Sequence, residues 1–102
     1  MAARMAARMR LRWLRQALRN LDDEANFIAA DDPVAARLVV KRVLDGVAML
    51  PAQPGLGRPG RVAGTRELVV LKTRYLVPYR VRGDVIEVLR MFHTSRRLPD
   101  RW

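Results

Sequence analysis

Residues Arg66 to Arg96, RELVVLKTRYLVPYRVRGDVIEVLRMFHTSR, decide how this chain folds. They break into three short runs rich in Val, Leu, Ile and Tyr, each of ordinary strand length. Gly83-Asp84 separates the second run from the third. A two-residue turn opened by Gly is a strong hairpin signal, because Gly tolerates a positive φ. Lys72-Thr73 turns the first run into the second with weaker turn formers. The expectation is a three-stranded antiparallel meander that ends in the tail His93-Thr94-Ser95-Arg96-Arg97.

Placing Gly83-Asp84 at the turn sets Arg82 opposite Val85, Arg80 opposite Glu87, Leu76 opposite Met91 and Arg74 opposite His93. Alternation then sorts the side chains. One face collects Tyr75, Val77, Tyr79, Val81, Ile86, Val88 and Phe92, joined by Leu68 and Val70. The other collects Glu67, Val69, Leu71, Arg74, Leu76, Pro78, Arg80, Glu87, Leu89, Met91 and His93. A face left to water should be polar, yet Val69, Leu71, Leu76, Leu89 and Met91 are apolar. A strip of that kind, rimmed by Arg74, Arg80 and Arg82, marks a partner surface. Arg90 is a misfit on the first face, and Pro78 has no N–H to give the ladder. A bulge is expected there.

Upstream, Met9, Leu11 and Trp13 alternate with Arg10 and Arg12 in the period of a half-buried strand. From Leu14 the period changes. Leu14, Ala17, Leu18, Leu21, Ala25 and Ile28 recur at helical spacing, with Asp22, Asp23, Glu24 and Asn26 on the wet side. Asp31-Asp32-Pro33 ends this helix and starts another: Asp32 can cap free N–H groups and Pro33 suits the first helical position. The second helix runs to about Leu50 and buries Ala36, Val39, Val40, Val43, Val47 and Leu50. Gly46 inside it suggests close packing, and Pro51 stops it. The short break makes the two helices an antiparallel hairpin that must cover an apolar surface. Residues 51–65, PAQPGLGRPGRVAGT, hold too much Pro and Gly for regular structure. They match no phosphate-binding fingerprint, so they read as a packed connector, although Arg58 and Arg61 could touch phosphate. Residues 1–8, MAARMAAR, read as a mobile extension before a single domain over 9–102, and Met1, Met5 and Met9 are all possible starts.

The chain has 102 residues, half of them hydrophobic, enough for one small core. No cysteine is present, which removes thiolate and disulfide chemistry and fits a reducing cytoplasm. No apolar run reaches the ~18 residues of a membrane span, and no apolar leader is visible. With one His and no Cys, a transition-metal site is not expected, nor any cofactor. Twenty Lys and Arg against ten Asp and Glu give a charge of +10, and only Lys41 and Lys72 are not Arg. A GC-rich genome accounts for Arg over Lys. It does not account for the excess of bases over acids, which favours an anionic partner.

The order strand, helix, helix, three strands resembles the RelE/ParE superfamily of toxins from bacterial type II toxin–antitoxin systems. Carrying that resemblance over residues 9–98 are the DDPVAA junction, GRPGRVAGTREL ahead of the meander, YLVPYRV, and the closing IEVLRMFHTSRR. It implies an α+β fold in which one sheet is packed on the helical hairpin. It also implies a cytoplasmic toxin, held in a heteromeric complex by a cognate antitoxin that wraps and neutralises it. The antitoxin would bind Val69, Leu71, Leu76, Leu89 and Met91, with Arg74, Arg80 and Arg82 at the rim. Arg58, Arg61, Arg96 and Arg97 are the candidates for contact with the target or with nucleic acid.

Two activities occur in that superfamily. RelE-like members cut mRNA on the ribosome without metal, and ParE-like members poison DNA gyrase. RelE-like chains commonly place an Arg directly after the Tyr that opens the middle strand. Here that residue is Leu76, which favours the gyrase activity. For metal-free RNA cleavage, a base, an acid and cations for the phosphorane charge are required. His93, Glu67, Arg74 and Arg80 could supply them from one face. His93 is equally a plain strand-end residue. A basic nucleic-acid-binding module without toxicity is the third alternative.

Overall fold

The computed structural model describes residues 9–102, so the extension expected over residues 1–8 lies outside the described residues. Gly83 sits at φ 60° and closes the hairpin between β4 (Tyr75–Arg82) and β5 (Val85–Val88). Arg82 pairs with Val85 and Arg80 with Glu87, the register the turn dictates. The other turn holds as well. Thr73 N–H and Oγ1 both donate to Val70 O, Lys72 takes φ 62°, and β3 (Arg66–Val69) pairs Val69 with Leu76.

Upstream lie β1 (Arg10–Trp13), α1 (Arg15–Ala29) and α2 (Pro33–Ala48). Asp32 caps α2, its carboxylate accepting from Ala35 N–H at 3.0 Å, with Pro33 at the helix start. β1, ahead of the helical hairpin in the chain, joins the sheet parallel to β5, Arg12 beside Glu87. The loop expected to lack regular structure contains a two-residue strand, β2 (Arg58–Pro59), paired with Arg66–Glu67. Gly57 in it is structural. A Cβ on Gly57 would fall 2.7 Å from the Tyr79 ring and 2.8 Å from Glu67 O. Gly57 N–H donates to Tyr79 Oη at 2.8 Å, and that hydroxyl donates to Pro54 O at 2.7 Å. Gly46 is looser than expected, since a methyl there would make only ordinary contact with Leu68 and Val70.

The sheet runs β1-β5-β4-β3-β2, and β6 (Phe92–His93) continues β5 alongside β4. Its inner face carries Leu68, Val70, Tyr75, Val77, Tyr79, Ile86 and Val88 against Ala17, Leu21, Val43, Val47 and Leu50 of the helical layer. Burying each such side chain is worth ~1.5–3 kcal/mol, so this layer dominates the stability. Val81, assigned to the same face, stays 45% exposed at the hairpin end.

One defect in the ladder reorganises the far half. Tyr79 faces Val88, but Leu76 faces Phe92. Leu89, Arg90 and Met91 therefore oppose only Pro78 and Val77, one residue too many. This is the bulge expected at Pro78, held by Leu89 N–H to Pro78 O at 2.9 Å. Asn20 of α1 catches it from the side, its Oδ1 accepting from Met91 N–H and from Arg90 Nε.

Candidate functional site

An inserted residue inverts the alternation beyond it. Met91, expected on the outer face, turns into the core and is 2% exposed. Phe92 leaves the inner face for the outer. His93 pairs with Tyr75 rather than Arg74 and joins the inner face, its ring edge-on to Tyr75 at 5.2 Å.

Among the four residues offered for RNA cleavage, His93 is thereby parted from the others. Glu67 lies on the outer face under Arg58, accepting from its guanidinium at 3.3 Å and from Arg61 N–H at 2.8 Å. Arg80 is committed to Glu87 at 2.6 Å. Arg74 stands exposed at the other end of β4. His93, on the opposite face from Glu67, takes Ser95 as partner, Oγ to Nδ1 at 2.7 Å.

Beside His93 is a polar cluster that sequence periodicity missed. Glu24, expected on the wet side of α1, is only 7% exposed. It lies seven residues after Ala17 and three after Leu21, inside the buried stripe. Tyr75 Oη donates to Glu24 at 3.0 Å, and Arg96 donates to it at 2.6 Å. Burial, then the Glu24 hydrogen bond and charge, push the Tyr75 hydroxyl up to about 12, opposed by Arg96. The cluster ties the chain after β6 to α1. The only signal for it was a carboxylate in phase with Ala17 and Leu21.

The outer face is not the open strip the alternation implied. Leu76 is 1% exposed and Leu89 8%. The chain after β6 returns across this face. Trp102 packs on Phe92, ring centroids 5.5 Å apart and tilted by 35°, and donates from Nε1 to Thr65 Oγ1, while Arg61 reaches Leu98 O. Arg90 lies 4.7 Å from the Phe92 ring centroid and donates to Trp102 O. Leu76, Pro78 and Leu89 on this face are buried.

Of the five apolar residues offered for antitoxin binding, only Val69 and Leu71 stay open, Leu71 at 81%. They belong to a groove of about 530 Å³ between the end of α2 and β3, lined also by Met49, Leu56, Gly46 and Asp45. Beyond Glu67 no described strand pairs with the outer edge of β3. Val70 N–H points to Tyr75 O, so by alternation the Val69 N–H and C=O point outward from that edge. Arg42 closes one end of the groove, donating to Lys72 O at 3.1 Å. Arg80 and Arg82 lie at the other end of the sheet, around Glu87. Of the remaining contact candidates, Arg58 and Arg61 brace the Glu67 loop, Arg96 holds Glu24, and Arg97 is exposed.

Known proteins are similar to this chain in sequence and fold. The sequence profile described as "ParE toxin of type II toxin-antitoxin system, parDE" matches residues 11–98. Y4kP of Sinorhizobium fredii, whose name describes it as a candidate toxin, is 44% identical over 93 residues, 91% of this chain and 96% of its own length. A chain of the chromosomal ParDE toxin–antitoxin system from P. aeruginosa superposes with a TM-score of 0.77 at 31% identity, over 85% of this chain and 97% of that one. The helical hairpin, the sheet and the sequence together show that this chain belongs to the ParE family of type II toxins.

Proposed function

We propose that this ParE-family chain arrests growth by poisoning DNA gyrase in the cytoplasm, and that a cognate antitoxin neutralises it. The observation that carries the target is the separation of His93 from Glu67. Pairing with Tyr75 and Pro78 respectively puts them three residues apart along β4, ~10 Å, and on opposite faces. A base and an acid so placed cannot serve one scissile phosphate. Leu76, where RelE-like chains carry Arg, is buried and presents no cation.

The antitoxin reading rests on the groove beside β3. Its occupant is an extended segment that adds a strand to the free edge and lays apolar side chains on Val69, Leu71, Met49 and Leu56. Carboxylates on the same segment meet Arg42, Lys72 and Arg74 near the turn. The relative of known structure belongs to a toxin–antitoxin system, which supports such a partner here.

Supercoiling assays with purified full-length chain provide the test. Inhibited supercoiling, or gyrase trapped on cleaved DNA, is expected, with ribosome-bound mRNA left intact and His93→Ala as potent as the parent chain. Codon-dependent mRNA cuts that vanish in His93→Ala would overturn the reading.

A further inference from the structure

The hairpin end of the sheet, away from the groove, carries a second surface. Arg10 and Arg12 of β1 stand beside Val85 and Glu87 of β5. Arg82 and Arg80 of β4 stand beside the same two residues from the other side. Cross-strand partners share a face, so all four guanidiniums rise from the outer one. Within each strand the two arginines are ~6.6 Å apart, and the two strands lie ~9.6 Å apart across β5.

Glu87 organises them. It is buried, accepts from Arg80 Nε at 2.6 Å and lies 3.8 Å from Arg82 Nε. The Arg80 hydrogen bond, opposed by burial and helped by the charges of Arg80, Arg82 and Arg12, holds its carboxyl below the usual range. Asp84 takes a share of Arg10 at 3.6 Å, with both side chains exposed. Four guanidiniums thus face two carboxylates and leave two positive charges uncompensated. Arg10, Arg12 and Arg82 remain exposed.

An excess held in fixed geometry fits an anionic partner. The core of a protein–protein interface is depleted of charge and enriched in aromatic residues and Met. Val85 is the one apolar side chain within this quartet, and it is only part exposed. Protein–DNA interfaces are polar and strongly positive, and most of their hydrogen bonds go to phosphate and sugar. We propose that Arg10, Arg12, Arg80 and Arg82 form a sequence-independent contact for the phosphate backbone of duplex DNA, which the toxin binds directly, without another protein. The inference stands apart from the choice of gyrase as target, because it concerns bare DNA.

Fluorescence anisotropy of the purified full-length chain with short labelled duplexes of unrelated sequence, over a salt series, tests it. Four phosphate contacts correspond to a slope of log K against log salt of about −3.6, with affinity in the ~10⁻⁴–10⁻⁶ M range of non-specific binding. Arg12→Gln with Arg82→Gln is expected to flatten the slope by about 1.8. Arg80 is left in place because it holds Glu87. Arg19→Gln with Arg37→Gln, an equal loss of charge on exposed helix positions, is expected to leave the slope unchanged. Should the first pair lower the melting temperature, Arg10→Gln with Arg82→Gln replaces it. An unchanged slope in the quartet variants, or equal flattening in the helix pair, overturns the proposal. So does a quartet variant that loses antitoxin affinity while keeping the parent's DNA slope, which would assign the surface to an acidic protein.

Discussion

The two faces of the sheet are closed by different means. The inner face is covered by a helical hairpin that precedes it in sequence, through a broad contact of aliphatic and aromatic side chains. The outer face is covered by the chain that follows it, through one indole, one arginine and a handful of hydrogen bonds. Hydrophobic closure over a wide area is non-directional and tolerant of small shifts. Closure by point contacts depends on each contact, and it leaves open whatever lies beyond its reach. Val69 and Leu71 lie beyond it.

Adjacent residues of β4 probe this contrast most sharply. Val77 faces inward at 0% exposure and Leu76 outward at 1%. Val77→Asp and Leu76→Asp are each expected to cost ~3 kcal/mol or more, since both bury an unpaired charge. Urea unfolding of the two variants measures it. A Leu76→Asp chain as stable as its parent would mean that the returning tail does not seal the outer face.

The next effect is pH-dependent and belongs to the inner face. The folded chain keeps the Tyr75 proton to about pH 12, whereas the unfolded chain releases it near the ordinary tyrosine value of about 10. The folded state's advantage is whole below about pH 10 and is lost as pH climbs through 12, a difference of about 2–3 kcal/mol. Tyr75→Phe is expected to flatten stability across that window. A parent chain whose stability does not fall there would contradict the Glu24–Tyr75 arrangement.

The smallest expected effect on stability is at the uncovered margin. Leu71→Asp, at a residue 81% exposed, should change unfolding free energy by less than ~0.5 kcal/mol. Antitoxin affinity, measured by calorimetry, should nonetheless drop at least tenfold, about 1.4 kcal/mol. Equal affinity for the variant would move the antitoxin off the β3 groove.

Local rules carried most of the fold. The turn at Gly83-Asp84, the cap at Asp32-Pro33 and the helical periodicities place both helices and the meander strands from sequence. What escaped was non-local. Glu24 reads as solvated because nothing near it in sequence announces Tyr75 or Arg96, which lie 51 and 72 residues away. Arg58-Pro59 reads as connector because a two-residue strand exists only through its partner in β3. The outer face reads as bare because a tail of mixed composition carries no periodicity to show that it folds back. The candidate site suffered most. Pro78 pointed to the bulge, but the residue count inside a bulge, which fixes the side of everything after it, is not written in propensities.

The bulge has a consequence for comparing this chain with its relatives. Between Val88 and Phe92 the number of residues, rather than their identity, determines whether the histidine that follows lies with Tyr75 or with Glu67. An alignment that places a single gap in this segment equates positions on opposite sides of a sheet. Two chains can then match letter for letter at the histidine while holding it in different surroundings. One codon lost here would carry His93 across to the side of Glu67, and Phe92 the opposite way.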